Sequence, residues 1–204
     1  MSDARERILE SAVKIFADNG FNGASTRAIA AAAGVHQPAI AYHFKNKDTL
    51  WKCAVSSVWN DFMDALNEKM ATISADADRT YEFVKFYLRY NAEVPETIIF
   101  VIQESARSDE RAHWFIHNLL SPQAGKLYHA MTGREWPERG SEESLRAISM
   151  LSLLTGSTRI FFQRAAAAEA SGVDPRSNAF IRIHAQTVTT AIKALLQLEQ
   201  RQSA

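Results

Sequence analysis

The stretch Ser25-Thr26-Arg27-Ala28-Ile29-Ala30-Ala31-Ala32-Ala33-Gly34-Val35-His36-Gln37-Pro38-Ala39-Ile40-Ala41-Tyr42-His43-Phe44-Lys45-Asn46-Lys47 decides the fold. Ser25 can cap a helix through its hydroxyl. Ile29, Ala30 and Ala33 give that helix a buried stripe, and Gly34 terminates it after barely two turns. A second short helix follows at once, over about Gln37 to His43. Pro38 is tolerated there because it lies in the first turn, where its missing N–H had no partner to lose. Asn46 then caps a much longer helix beginning at Lys47. Short helix, glycine turn, short helix is the helix-turn-helix pattern, in which the second member lies in the DNA major groove and the first crosses the backbone.

Charge sharpens this reading. From Asn19 to Lys47 there is no Asp or Glu, while Arg27, Lys45 and Lys47 lie there with His36 and His43. An even spread of acids would put about three in that segment. A basic face suits a nucleic acid; the plainer account is an alanine-rich helical segment that simply lacks charge. Net charge cannot decide, because 23 basic residues balance 23 acidic ones over the 204 residues. Residues 1 to 52 carry seven bases and five acids, so any electropositive face is local to the first quarter.

Upstream, Ile8, Leu9, Ala12, Val13 and Phe16 follow one apolar helical face, and Gly20 can take the left-handed conformation that ends it, giving a first helix over about residues 3 to 19. Downstream, the helix from Lys47 continues through Trp51, Val55, Val58, Phe62 and Leu66 to about Met70, too long for a 50-residue domain alone. Further helices are expected over about Tyr81–Glu93, Glu96–Arg107, Glu110–Met131, Glu142–Ala170 and Pro175–Gln200, with no competing strand alternation. The fold class expected is all-α, about nine helices. A three-helix helix-turn-helix domain (1-50) is joined by a long helix to a helical ligand-binding and dimerisation domain (51-204). No apolar run reaches the roughly 18 residues of a membrane helix, and the charged start Met-Ser-Asp-Ala-Arg-Glu-Arg is unlike a signal peptide. The lone Cys53 closes no intramolecular disulfide and begins no CxxC site. These features point to a cytoplasmic location, with no membrane partner.

Ser25-Thr26-Arg27-Ala28-Ile29-Ala30, Ala33-Gly34-Val35, Gln37-Pro38-Ala39-Ile40, Tyr42-His43-Phe44-Lys45-Asn46-Lys47 and Leu50 together resemble the N-terminal signature of the TetR family of bacterial transcriptional regulators. The resemblance covers roughly residues 5 to 52. Beyond them only length and helical pattern agree. Family members commonly have Tyr at the place of Ala41, and many have Ser or Thr at that of His36. The resemblance implies a homodimeric regulator that binds a palindromic double-stranded DNA operator, is released by a small-molecule inducer, and is no enzyme.

Side-chain chemistry assigns the DNA contacts. Gln37 has an amide that can bond an adenine edge bidentately, Pro38 and Ala39 offer apolar contact to thymine methyls, and Arg27 could reach a guanine. Thr26, Tyr42, His43 and Lys47 are placed for phosphates, through hydroxyl, imidazole or ammonium groups. Tyr42 and His43 could instead close the small core against Phe16 and Phe44.

Half of the twenty aromatic residues fall between Tyr81 and Trp136. This window is a candidate pocket wall or ordinary packing. Family members generally hold an inducer in this part of the chain, which makes Tyr87, Phe100, Glu104, Trp114, His117 and Arg159 the candidate ligand residues, with Arg107 and His113 beside them. No cofactor is expected, since no glycine-rich phosphate loop occurs. No metal is expected either, since His113 and His117 lack the glutamate of an HExxH motif. An all-helical enzyme or a binding module without DNA binding is the competing reading.

A single helix-turn-helix reads only a few base pairs, so specificity ordinarily demands two copies related by a two-fold axis. The final two helices supply low-charge faces for pairing: Ile148, Leu151, Leu154, Thr155 and Ile160 in one, Phe180, Ile183, Ile192, Leu195 and Leu196 in the other. In the family such a pair forms a four-helix bundle with its mate.

Overall fold

A computed structural model describes residues 3–161, 169–170 and 172–202. Among these residues all regular structure is helical. In chain order the helices are α1 (Ala4–Gly23), α2 (Thr26–Ala32), α3 (Pro38–Phe44), α4 (Lys47–Ala71), α5 (Arg79–Glu93), α6 (Glu96–Ser105), α7 (Glu110–Phe115), α8 (Ser121–Thr132), α9 (Glu142–Ser157) and α10 (Asn178–Gln202). A π-helical turn, Ile116–Leu120, runs into α8, and a 3-10 turn, Thr158–Phe161, follows α9.

The chain divides into two compact units. One holds the described residues up to Asp64 together with Glu96–Ala112, and the other holds Ala65–Pro95 together with the described residues from His113 onward. Helix α4 runs unbroken across the first division.

In the first unit Ile8, Phe16, Ile29, Leu50 and Trp51 are wholly shielded from solvent, with Ile40 and Phe44 close behind. Truncating an aromatic such as Phe16 in a core of this kind costs about 3–5 kcal/mol. The Phe16 and Phe21 rings stack with centroids 6.0 Å apart, and Phe21 meets Trp51 edge-on at 6.2 Å. Helix α6 joins this unit through the Gln103 amide, whose Nε2 donates to the Ala17 carbonyl at 2.8 Å.

In the second unit α5 packs against α8 and α10, and α9 against α10. Thr80 Oγ1 donates to the Met131 carbonyl at 3.1 Å and Arg79 Nε to that of Ala130 at 2.9 Å, tying the start of α5 to the end of α8. Asp78 caps α5 by accepting from the Tyr81 N–H and also holds Lys193 of α10.

Several boundaries differ from the periodicity reading. Gly20 does break α1, with φ 66° and ψ 175°, but one more turn follows as far as Gly23. The expected single helix over Glu110–Met131 contains the π turn, closed by the Ser121 N–H on the Ile116 carbonyl. Pro122 explains the widening, because it has no N–H for the carbonyl four residues back and its ring pushes that carbonyl away. The last helix starts at Asn178 rather than Pro175, because Asp174 first makes a turn by accepting from the Arg176 and Ser177 N–H groups. The expected continuation of α9 toward Ala170 crosses residues 162–168, which lie outside the described residues.

Candidate nucleic-acid interface

Local chemistry positions α2 and α3. The Ser25 hydroxyl accepts from the Ala28 N–H at 3.1 Å and so fixes where α2 starts. Removing such a cap costs about 0.5–2 kcal/mol. At the other end, Gly34 takes φ 65°; its N–H reaches the Ala31 carbonyl at 3.2 Å, and the Val35 N–H reaches that of Ala30 at 3.0 Å. This pair of bonds is the Schellman closure, and it turns the chain sharply into α3. Asn46 Oδ1 accepts from the Thr49 N–H at 2.8 Å and starts α4. Between α3 and α4 the whole corner is Lys45, at φ 64° and ψ −57°, with the Asn46 N–H bonded to the Phe44 carbonyl at 2.7 Å. That geometry is the rare γ-turn of positive φ, a strained conformation for a side chain with a Cβ.

The eight expected DNA residues all lie on this corner of the first unit. Arg27, Gln37 and Pro38 are exposed, Thr26, Ala39, His43 and Lys47 are half-buried, and Tyr42 is 84% exposed. For Tyr42 the packing alternative fails: the ring stands in solvent, edge-on to His43 with centroids 4.9 Å apart, while Phe44 fills the core position instead. Gln37 Nε2 donates to Thr26 Oγ1 over 3.4 Å, a long bond that links the residue just before α3 to the first residue of α2. Lys47 also packs against a ring. Its Nζ sits 4.5 Å from the centre of the Phe21 ring, and burial, with Arg111 nearby, holds its pKa below the usual lysine value. Lys45, part of the basic segment but not among the eight candidates, is exposed on the same corner and stands at a positive φ.

The six candidate ligand residues fall in both units. Phe100 and Glu104 lie on α6 in the first, fully or almost fully buried. Glu104 is taken up by an ion pair: Arg111 Nε donates to its Oε2 at 3.0 Å, with only 2% of the Glu104 side chain exposed. Tyr87, Trp114, His117 and Arg159 belong to the second unit, Tyr87 buried, Trp114 half-buried and the other two exposed. His113 and His117 stand with ring centroids 5.9 Å apart, and among the described residues no three His, Cys, Asp or Glu side chains gather as a metal site would require.

Burial pushes the Tyr87 phenol up to about 12 from 10.0, against the opposing hydrogen bond to Thr155. A folded-state pKa raised in an acid means that folding favours the neutral phenol. Its contribution is complete below pH 10 and is lost as pH rises from 10 toward 12, by up to about 3 kcal/mol. Urea midpoints of the native protein should therefore fall through that window, and Tyr87→Phe should flatten the fall. An unchanged alkaline slope in the variant would assign it to other groups.

On the outer side of α9 and α10 the structure corrects the expected pairing face. Leu154 and Ile192 are 1% and 0% exposed and belong to the core of the second unit. The apolar side chains that face solvent are Leu145, Ile148 and Leu153 on α9 and Ile183 on α10, between 46% and 60% exposed. Beside them an open groove between the two helices is lined by Ser149, Ser152, Gly156, Val188 and Ala191 among others. No helix among the described residues is long and apolar enough to cross a membrane.

Residues 8–52 match the family described as bacterial regulatory proteins, tetR family. The probable HTH-type transcriptional regulator YttP of Bacillus subtilis (strain 168) is 31% identical over 102 residues, 49% of this chain and 49% of that protein. The tetracycline repressor protein class C of Escherichia coli is 39% identical over 70 residues, 34% of this chain and 26% of that protein. The chain thus spans half or less of the length of these relatives. The crystal structure of the transcriptional regulator FadR from Bacillus subtilis, in complex with stearoyl-CoA, superimposes with a TM-score of 0.67 over 92% of this chain and 96% of that one, at 15% identity, a likeness of fold. The capped α2, the Gly34 closure and the exposed start of α3 all lie inside residues 8–52, the segment in which the chain is similar to the tetR family of bacterial regulatory proteins.

Proposed function

We propose that the protein is a ligand-responsive transcriptional regulator, a repressor that binds a palindromic operator as a homodimer and leaves it when a small-molecule inducer binds. The observation that carries this reading is the exposed corner of α2 and α3, where Arg27, Gln37, Pro38, Tyr42 and Lys45 face solvent in a segment without a single carboxylate. Residues 1-50 would bind DNA, and residues 51-204 would bind ligand and dimerise in the cytoplasm, with no catalytic role and no cofactor. A gel shift with the DNA upstream of the gene tests it directly. A specific complex that survives competitor DNA is expected, and retardation no stronger than that of random duplex would overturn the proposal.

Within that reading Gln37 reads a base and Thr26, Tyr42, His43 and Lys47 grip phosphates, with Arg27, Pro38 and Ala39 completing the sequence readout. Gln37→Ala should weaken specific binding by about 1–3 kcal/mol and relax preference at one base pair per half-site. Titration against operator variants checks this, and unchanged base preference would remove Gln37 from the readout.

For the inducer, Tyr87, Phe100, Glu104, Trp114, His117 and Arg159 remain the candidate contacts, with Glu104 also ion-paired to Arg111. The unbroken α4 is the rod by which a ligand would change the spacing of two recognition helices. Coupling of about 1–3 kcal/mol is expected, and it must be reciprocal. Calorimetry with stearoyl-CoA as the first probe, with and without operator, should give affinities that differ by the factor by which the probe weakens DNA binding. A Gly-Gly insertion near Asn67 should abolish the difference. Binding of the probe with equal affinity in both titrations would show that it is no inducer.

A further inference from the structure

The corner between α3 and α4 is turned by a single residue, and that residue carries a Cβ where glycine would fit without strain. The Lys45 N–H closes α3 on the Ala41 carbonyl at 3.0 Å, while Asn46, the next residue, already caps α4 by accepting from the Thr49 N–H at 2.8 Å. Pinned from both sides, Lys45 takes φ 64° and ψ −57°. A strained conformation persists where the surrounding structure over-determines it, and such residues cluster at functional sites.

Packing gives no reason for a lysine here. The side chain is exposed, and among the described residues its ammonium makes no ion pair, hydrogen bond or ring contact. Lys47, Arg111, Arg5 and Lys52 of the same unit are, by contrast, all engaged. Lys47 Nζ lies 4.5 Å from the centre of Phe21, and the Arg111 guanidinium carbon lies 4.3 Å from that centre and 5.4 Å from that of Trp51. The Arg5 guanidinium carbon stands 5.2 Å from the centre of Phe44, and Lys52 pairs with Asp48 at 2.8 Å. Lys45 also stands in the acid-free run from Asn19 to Lys47, so no carboxylate of that run competes for it.

We propose that Lys45 is a DNA-backbone contact: a strained turn residue kept as lysine because its free ammonium meets a phosphate where the chain leaves the major groove. The first residues of a recognition helix face base edges, whereas Lys45 follows the last residue of α3, where the flanking backbone is met. An ammonium is a point charge on a flexible stem, suited to a phosphate and indifferent to sequence. The proposal rests on the reading of the α2 and α3 corner as a DNA-binding surface.

The test is the salt dependence of operator binding by the full-length chain. Each phosphate contact removed lowers the log–log slope by about one, hence by about two for a dimer on two half-sites. Lys45→Gly and Lys45→Ala should both lower it by that amount and leave base preference across operator variants unchanged, while Lys45→Arg should keep the native slope. Lys14→Ala removes the same charge from an exposed lysine of α1 outside the acid-free run and should leave the slope near native. Without DNA the two neutral variants should part: Lys45→Gly should unfold at a higher urea midpoint than Lys45→Ala, since alanine retains the strain. A native slope in Lys45→Gly, or an equal fall in Lys14→Ala, would overturn the proposal; so would equal midpoints, which would remove the strain it explains. If the native chain forms no specific operator complex, the reading of the corner has failed and Lys45 with it. A specific native complex whose slope Lys45→Gly leaves unmoved removes Lys45 alone.

Discussion

Glu104→Ala should destabilise the first unit by about 3–5 kcal/mol, the cost of leaving a buried partner charge without its counter-ion. Arg111 would then face Phe21 and Trp51 with only Asp109, 3.9 Å away and 40% exposed, to neutralise it. The loss should appear as a lower urea midpoint when unfolding is followed through the tryptophans, of which Trp51 and Trp59 are buried in this unit. Replacing both partners by apolar residues, Glu104→Met with Arg111→Leu, should recover most of the stability, because neither charge then needs solvation. If Glu104→Ala left the midpoint within about 0.5 kcal/mol of native, in the range of ordinary surface changes, the pair would be behaving as a solvated one.

Ile148→Glu combined with Ile183→Glu should yield a folded monomer whose operator affinity is lower by about 10²- to 10⁴-fold, the usual gain from linking two binding modules. Both side chains are about half exposed, so the isolated chain loses little by the exchange. At a two-fold interface, however, each glutamate would be buried twice over without a partner. Sedimentation of the double variant, with circular dichroism as the control for folding, separates the outcomes. An intact dimer would place the interface elsewhere. Leu154→Glu and Ile192→Glu, by contrast, should unfold the second unit outright, since both positions are sealed inside it.

That contrast marks where sequence stops informing. Ser25, Gly34 and Asn46 can be assigned from residue type because a cap or a left-handed turn involves bonds spanning only a few residues. The eight DNA-binding candidates share one corner for the same reason, since short elements and their turn fix it. Which side of α9 or α10 turns inward is different. Leu154 and Ile148 are equally apolar and both fit a helical stripe, and only packing against α8 and α10 decides between them. Glu104 reads as a ligand group in the sequence because it lies within the aromatic-rich window between Tyr81 and Trp136. Its partner, Arg111, stands seven residues along the chain and leans on rings sixty or more residues earlier, a separation no periodicity records. The γ-turn at Lys45 leaves no trace either, because lysine is an unusual occupant of that conformation.

The first unit is discontinuous: Gln103 and Arg111 complete its surface from beyond an excursion that runs from Ala65 to Pro95. N-terminal domains generally fold first as the chain is synthesised. Here that order is unattainable. Until residue 111 has left the ribosome, the Ala17 carbonyl lacks the Gln103 amide and Phe21 and Trp51 lack the Arg111 guanidinium, so the nascent helix-turn-helix waits without these contacts. The closing contacts are also of long sequence separation, which slows folding. A protein of this arrangement should acquire DNA-binding competence late in its synthesis, and fragments cut after α4 should recruit chaperones or aggregate rather than serve as a minimal DNA-binding module.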